Sequence, residues 1–207
     1  MLTRDEKPPS RRQIKNRKAI LEAALEVFSR YGFRGATLDL IAEAADMSKP
    51  NLIYYFPNKE EIFLTLLGQL MDRWLAPLRE IDPEGDPLEE ILTYVRRKLQ
   101  MSRDMPRESR LFANEVVQGA PRMGQHLSSD LKALFDQTKL QLVVWMNQRK
   151  IARIDPEHLI FSIWATTQHY ADFDAQITIL SDQKTDIIDN AETFLVTLYT
   201  RLLTPNG

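Results

Sequence analysis

Residues 37–63 read TLDLIAEAADMSKPNLIYYFPNKEEIF, and they decide the fold. Thr37 is suited to accept a hydrogen bond from the free amides that open a helix, and Leu38, Ile41, Ala42 and Ala45 give that helix one inner face. The helix stops near Asp46. Ser48 can cap the next one, with Pro50 in its first turn, where the amides have no intrahelical acceptor anyway. Phe56 and Pro57 close it. Asn58, with Glu61 three positions later, opens a long helix predicted to run through Trp74, with Pro77 bending or ending it. Upstream, Ile20, Ala24, Val27, Phe28 and Tyr31 recur at helical spacing, and Gly32 and Gly35 break the chain behind them. Three helices with the tight break AADMS between the second and third predict a helix-turn-helix, a motif that presents its third helix to the DNA major groove.

Downstream of the loop IDPEGDP, Leu88, Ile91, Leu92, Val95 and Leu99 mark a further helix, and Pro106 separates it from one carrying Leu111, Phe112 and Val116. A long helix holds Leu127, Leu131, Leu134, Leu142 and Trp145. Asp155 before Pro156 supplies an N-cap and first position for the next, and the last holds Ile187, Ala191, Phe194, Leu195, Leu198 and Leu202. ITIL at 177–180 is the one strand-like run. The predicted fold class is all-α, with about nine helices: an N-terminal three-helix helix-turn-helix domain over residues 1–61 and a C-terminal helical domain over residues 62–207.

Composition removes several function classes. With 43% hydrophobic and 27% charged residues the chain is expected to fold. It has no cysteine, which excludes disulfides, thiolate metal sites and cysteine nucleophiles and makes a reducing cytoplasm the expected compartment. No glycine stands in a phosphate-cradling pattern, and no uninterrupted apolar run approaches a membrane span or a signal core. There is no nucleophile elbow or HExxH, and His126, His158 and His169 lack a metal-ligand spacing, so the expectation is no enzyme, no cofactor and no metal. His169 with Asp172 reads as a surface or interface pair.

The net charge of −2 conceals an asymmetry. Residues 1–59 hold 11 Lys+Arg against 7 Asp+Glu, a balance of +4, and residues 60–207 hold 16 against 22, a balance of −6. Arg4, Lys7, Arg11, Arg12, Lys15, Arg17 and Lys18 face only Asp5 and Glu6 in the first twenty positions. Such an arm suits phosphate neutralisation, because each cation near a nucleic-acid backbone releases condensed counterions. A solvated tail reads equally well from charge alone.

Residues 37–63 resemble the DNA-binding signature of the TetR family of bacterial transcription regulators: Thr37, Ile41, Ala42, Ala45, Ser48, Tyr55, Phe56, Lys59 and Glu60 fill their places. Asp46 stands where glycine is usual, Met47 where valine is usual, and Ile53 where tyrosine is common. The resemblance implies a cytoplasmic homodimer that binds a double-stranded DNA operator, usually as a repressor released by a small molecule. It places the DNA contacts on Arg17, Thr37, Ser48, Lys49, Pro50, Asn51, Tyr54, Tyr55 and Lys59. The chemistry suits them: Lys59 can neutralise a phosphate at a helix amino end, Lys49 can pair with guanine, and Asn51 can read adenine in two-point fashion. Phe56 fits core packing better than a DNA contact.

WLAPL at 74–78, SRDMPRESRLF at 102–112, QGAP at 118–121 and IDPEHLIFSIWATTQHYADF at 154–173 are similar to the pyrimidine-utilisation regulators within that family, whose ligand is uracil or thymine. The implied ligand set is Trp74, Leu78, Arg103, Phe112, Val116, Trp164, Thr167 and Gln168. Gln168 offers one acceptor and two donors to a uracil edge, Trp74 can stack on a planar ring, and Arg103 can donate to a carbonyl. On the helix from Pro156, Ile160, Trp164, Thr167, Gln168 and Ala171 share one stripe, and Leu159, Ile163, Tyr170 and Phe173 another. One stripe can line a cavity and the other meet a second subunit; the dimer set is Leu159, Ile163, Tyr170, Phe194, Leu195, Leu198 and Leu202. Two other readings stay open: a different apolar or aromatic effector, and a helical adaptor that binds only protein.

Overall fold

The structure is a computed structural model that describes residues 10–124, 127–181 and 187–205. Arg4, Lys7 and His126, singled out above, lie outside the described residues. Ten α-helices and one π-helical turn account for most of the chain, with no strand among the described residues. They are α1 Arg11–Gly35, α2 Leu38–Ala44, α3 Lys49–Tyr55, α4 Lys59–Arg79, α5 Pro87–Asp104, α6 Pro106–Val117, the π-helical turn Leu127–Leu131, α7 Lys132–Asn147, α8 Pro156–Asp172, α9 Asp174–Leu180 and α10 Ile187–Leu203.

The chain forms two compact units, Met1–Gly68 and Gln69–Gly207. The division falls inside α4, later than the sequence division at 61/62, because a helix that continues unbroken offers no compositional boundary to read. No helix among the described residues is long and apolar enough to cross a membrane.

Helix starts follow the local chemistry of their caps. The Ser10 hydroxyl accepts from the Gln13 amide while the Gln13 side chain accepts from the Ser10 amide, a complete capping box. Thr37 caps α2 through the Leu40 amide at 3.2 Å, Asp86 caps α5 through Glu89 at 3.0 Å, and Asp155 caps α8 through the Glu157 and His158 amides. Asn58 accepts from the Glu61 amide at 2.8 Å at the head of α4. Within α1 the break falls at Gly32, whose φ of 64° is a left-handed value that a side chain rarely adopts.

The turn between α2 and α3 is a full Schellman closure. The Asp46 amide donates to the Glu43 carbonyl and the Met47 amide to the Ala42 carbonyl, with Asp46 at φ 51°. Aspartate thus occupies a left-handed position that favours glycine, at a cost of roughly 1 kcal/mol. Leu52 and Phe56 then insert fully buried beside Ile41 and Ile20 in the core of the first unit, where Phe28, Phe33 and Phe63 meet at ring separations of 4.9–6.0 Å.

Two stretches singled out in the sequence take these forms. α4 continues two residues past Pro77 to Arg79: the missing N–H removes one bond near the helix end, and the Glu80 amide still reaches the Ala76 carbonyl. ITIL at 177–180 forms part of α9 rather than a strand, capped by the Ser181 amide to the Ile177 carbonyl at 2.8 Å. Helical bonds satisfy the backbone of this short stretch, and no strand stands among the described residues to pair with it.

In the second unit α5 packs against α8 and α10. Tyr94, Val95, Leu99, Trp145, Ile160, Ile163, Leu195, Tyr199 and Leu203 form one buried cluster. Asp46→Gly is expected to raise the unfolding free energy by about 0.5–1 kcal/mol, because it relieves the left-handed aspartate; a urea titration of the two proteins measures it.

Candidate functional site

Only two turns long, α3 is held from outside itself. The Asn16 amide nitrogen donates to the Tyr55 hydroxyl at 2.8 Å, and Arg17 donates to the Tyr55 carbonyl at 3.3 Å while its guanidinium lies 4.0 Å over the Phe56 ring. Gln13 reaches the Tyr54 hydroxyl at 3.4 Å. The first turns of α1 therefore fix the far end of α3, and Ser48 caps its near end through the Asn51 amide. Leu52 is the buried anchor beneath, which leaves Lys49, Pro50, Asn51, Ile53 and Tyr54 as an exposed row, Tyr54 being 70% exposed.

Arg11, Arg12, Lys15, Arg17 and Lys18 lie exposed along α1. Lys49 pairs with Asp39 of α2 at 2.9 Å. Both partners are well exposed, so the pair is weak and readily exchanged for a stronger acceptor. The row thus combines a helix N-terminus, an amide side chain, a cation and a phenol on one accessible face, the donors and acceptors that base edges and phosphates require. Gln13 and Asn16 escaped sequence reading, since nothing local marks a polar side chain on α1 as a partner for a residue some forty positions later.

Lys59 is placed differently from its sequence assignment to a phosphate. Its ammonium donates to the Phe33 and Ala36 carbonyls, each at 2.8 Å, and lies 4.6 Å over the Phe33 ring. It closes the link between α1 and α2, whose carbonyls the break at Gly32 leaves without helical donors.

In the second unit a cavity of about 50 Å³ is lined by Met71, Trp74, Leu75, Leu78, Tyr94, Lys98, Phe112, Leu131, Trp164 and Gln168. Trp74, Leu78, Phe112, Trp164 and Gln168 are brought together as the sequence reading expects. Trp74 meets Phe112 edge to face at 5.0 Å, and the Trp164 indole N–H donates to the Tyr94 hydroxyl at 2.7 Å. Burial pushes the Tyr94 phenol far above its ordinary value, the Trp164 bond opposing only in part. The Trp74 indole nitrogen is a buried donor with no acceptor among the described residues.

Lys98 is the lining residue that matters most and that sequence reading missed. It is 5% exposed, and its ammonium lies 4.7 Å over the Trp74 ring. Burial pulls its pKa down to about 8, with the Asp172 charge acting in the opposite direction. A signal was available: Lys98 falls within the stripe of Ile91, Tyr94, Val95, Leu99 and Ser102, the buried face of α5.

Three residues of the expected ligand set lie elsewhere. Arg103 is exposed and ion-paired with Asp189 on α10. Val116 is 40% exposed and away from the lining. Thr167 is fully buried, its hydroxyl bonded to the Ile163 carbonyl at 2.7 Å as β-hydroxyl side chains in helices often are. Of the expected dimer set, Leu159, Ile163 and Leu195 are buried within the chain's own core and Tyr170 packs partly against it. Phe194, Leu198 and Leu202 remain as an exposed apolar line along α10. Periodicity shows that a helix has a buried stripe without saying which molecule buries it.

Residues 20–66 match the model of bacterial regulatory proteins of the tetR family, and residues 67–206 match the YcdC-like protein C-terminal region. The HTH-type transcriptional regulator RutR of Escherichia coli (strain K12) is 50% identical over 168 residues, 81% of this chain and 79% of the relative. The chain belongs to the TetR family. It is a DNA-binding transcriptional regulator and not an enzyme. The HTH-type regulator TcmR of Streptomyces glaucescens is 33% identical over 100 residues, 46% of this chain and 44% of that one. AibR, solved in complex with isovaleryl coenzyme A and operator DNA, shares the fold at TM-score 0.73 and 19% identity, over 92% of this chain and 100% of its own. The regulator SCO4942 from Streptomyces coelicolor does so at TM-score 0.72 and 22% identity, over 91% and 98%.

Lys59→Met should cost about 1–3 kcal/mol of stability in urea, since it strips donors from two carbonyls. A lysine acting only as a phosphate contact would leave stability intact and lower the salt slope of DNA binding instead. For Lys98, protonation is disfavoured in the folded state, so the unfolded chain binds more protons between pH 8 and 10.5 and wild-type stability rises with pH across that window. Lys98→Met is therefore expected to unfold at higher urea than wild type at pH 7, by a free energy on the order of 1–3 kcal/mol, with the difference gone above pH 10.5.

Proposed function

We propose that this TetR-family regulator is an effector-released repressor whose ligand is uracil or thymine, working as a homodimer. The observation that carries the reading is the small cavity of the second unit, where planar aromatic walls meet Gln168 and Lys98. A pyrimidine-dione is a flat ring with an alternating edge of carbonyls and N–H groups. Trp74, Phe112 and Trp164 suit its faces, and the polar side chains suit its edge. The resemblance of residues 154–173 to the pyrimidine-utilisation regulators supports the same class of ligand.

Operator contacts are assigned to Thr37, Ser48, Lys49, Pro50, Asn51 and Tyr54, with Arg17 and Tyr55 at the rim. Ser48 and Thr37 cap helices whose N-termini favour phosphate, and Lys59 supports the head from beneath. In a dimer the two α3 helices must lie about 34–36 Å apart, or a compatible multiple, to enter successive major grooves. The apolar line of Phe194, Leu198 and Leu202 on α10 is the surface assigned to the partner, in place of Leu159, Ile163 and Leu195. Because α4 contributes Ile62 and Phe63 to the first unit's core and Trp74 and Leu78 to the cavity lining, it is the element assigned to carry the signal. Coupling of this kind amounts to about 1–3 kcal/mol and is reciprocal.

The test is fluorescence anisotropy on a palindrome selected from random duplexes. Uracil or thymine should weaken operator binding by about 5- to 150-fold, and Asn51→Ala should lose discrimination between operator and random DNA while keeping the nonspecific component. Undiminished operator binding at saturating uracil and thymine removes the pyrimidine reading.

A further inference from the structure

Among the described residues that line the cavity, Lys98 alone brings a titratable cation. α4 offers Met71, Trp74, Leu75 and Leu78, α6 offers Phe112, and the π-helical turn offers Leu131. From α5 itself comes Tyr94, held as the neutral phenol by burial and bonded to Trp164. From α8 come Gln168 in the lining and Asp172, whose carboxyl accepts from Ser109 and acts on Lys98 at a distance. His169 and Arg110 bear on Asp172 in turn. No carboxylate lies within ion-pair distance of Lys98 among the described residues, and Lys98 packs over a tryptophan whose own N–H is unpartnered. A largely buried lysine without an ion-pair partner and a buried indole N–H without an acceptor are each costly, and both are met by one molecule bearing acceptor oxygens. A fully anionic ligand is a poorer match, since Asp172 already brings negative charge to this neighbourhood and the remaining walls are apolar.

Resting on the pyrimidine reading above, we propose that Lys98 determines which effectors the cavity accepts: it demands a hydrogen-bond acceptor on an uncharged planar ring, and it takes up a proton as the ring binds. The sign follows from the bond itself. A carbonyl accepting from the ammonium stabilises the charged form, so binding raises the proton affinity of Lys98 and affinity falls as pH climbs beyond about 8. A toluene-sized ring fills the same walls without using Lys98 at all, whereas orotate adds a carboxylate to the uracil ring and probes an ion-pair preference.

Titration calorimetry of the full-length protein tests this, with uracil, toluene and orotate between pH 7 and 9 in two buffers of different ionisation enthalpy. Wild type should bind uracil with net proton uptake near pH 8 and prefer it to orotate. Lys98→Met, shown folded by circular dichroism, should lose about 10- to 100-fold in uracil affinity, show no proton uptake, and bind toluene at least as well as wild type. Lys98→Gln keeps a donor without a charge, and should retain part of the uracil affinity with no uptake. Uracil bound equally by wild type and Lys98→Met, proton release in place of uptake, or orotate bound more tightly than uracil overturns the role of Lys98 and leaves the pyrimidine reading standing. Failure of wild type to bind uracil or thymine at any pH overturns both.

Discussion

A single helix must satisfy two cores. α4 buries Ile62, Phe63, Leu66 and Leu67 on one side of the division after Gly68, and Leu70, Met71, Trp74, Leu75 and Leu78 on the other. Backbone bonds run along it on both sides of the division. Pro77 sits two residues from its end, where the helix loses one bond cheaply. The remaining architecture follows from this constraint: α1 to α3 assemble on the first set, and the cavity takes much of its wall from the second.

The two units handle polarity in different ways. In the first, every cation of note is either exposed or satisfied: Arg17 by a carbonyl and a ring, Lys49 by Asp39, Lys59 by two carbonyls. In the second, a lysine is buried beside aromatic rings at the expense of its own charge. Stability alone does not select such an arrangement, because an apolar residue of similar size fills the space better. A cost of that kind, kept at a cavity wall, is characteristic of recognition.

Local chemistry was legible in the sequence and global contacts were not. Thr37, Ser48, Asn58 and Asp155 announced their caps because the groups they bond lie two or three residues away. At Asp46 the resemblance marked a place where glycine is usual, and the backbone there is left-handed. The bonds of Lys59 were not legible since its acceptors, the Phe33 and Ala36 carbonyls, lie more than twenty positions upstream. The partners of Arg103 and Thr167 were hidden for a related reason: a helical stripe fixes direction, yet the identity of the neighbour depends on packing between helices. Leu159 and Ile163 show the same ambiguity, being as apolar as any interface pair while serving the chain's own interior. The family resemblance named five residues of the cavity lining that periodicity alone left among many, and Lys98, the sixth of consequence, stood in the apolar stripe of α5 unread.

α3 owes its conformation to tethers at its edges and to Leu52 beneath, and little to the side chains on its outer row. Seven residues are too few to hold a helix unaided. Lys49, Pro50, Asn51 and Ile53 are therefore exchangeable as a set without loss of the scaffold. A lineage built on this frame can drift to new target sites by rewriting four letters, while the hydrogen bonds of Asn16 and Arg17 to Tyr55 keep the page flat.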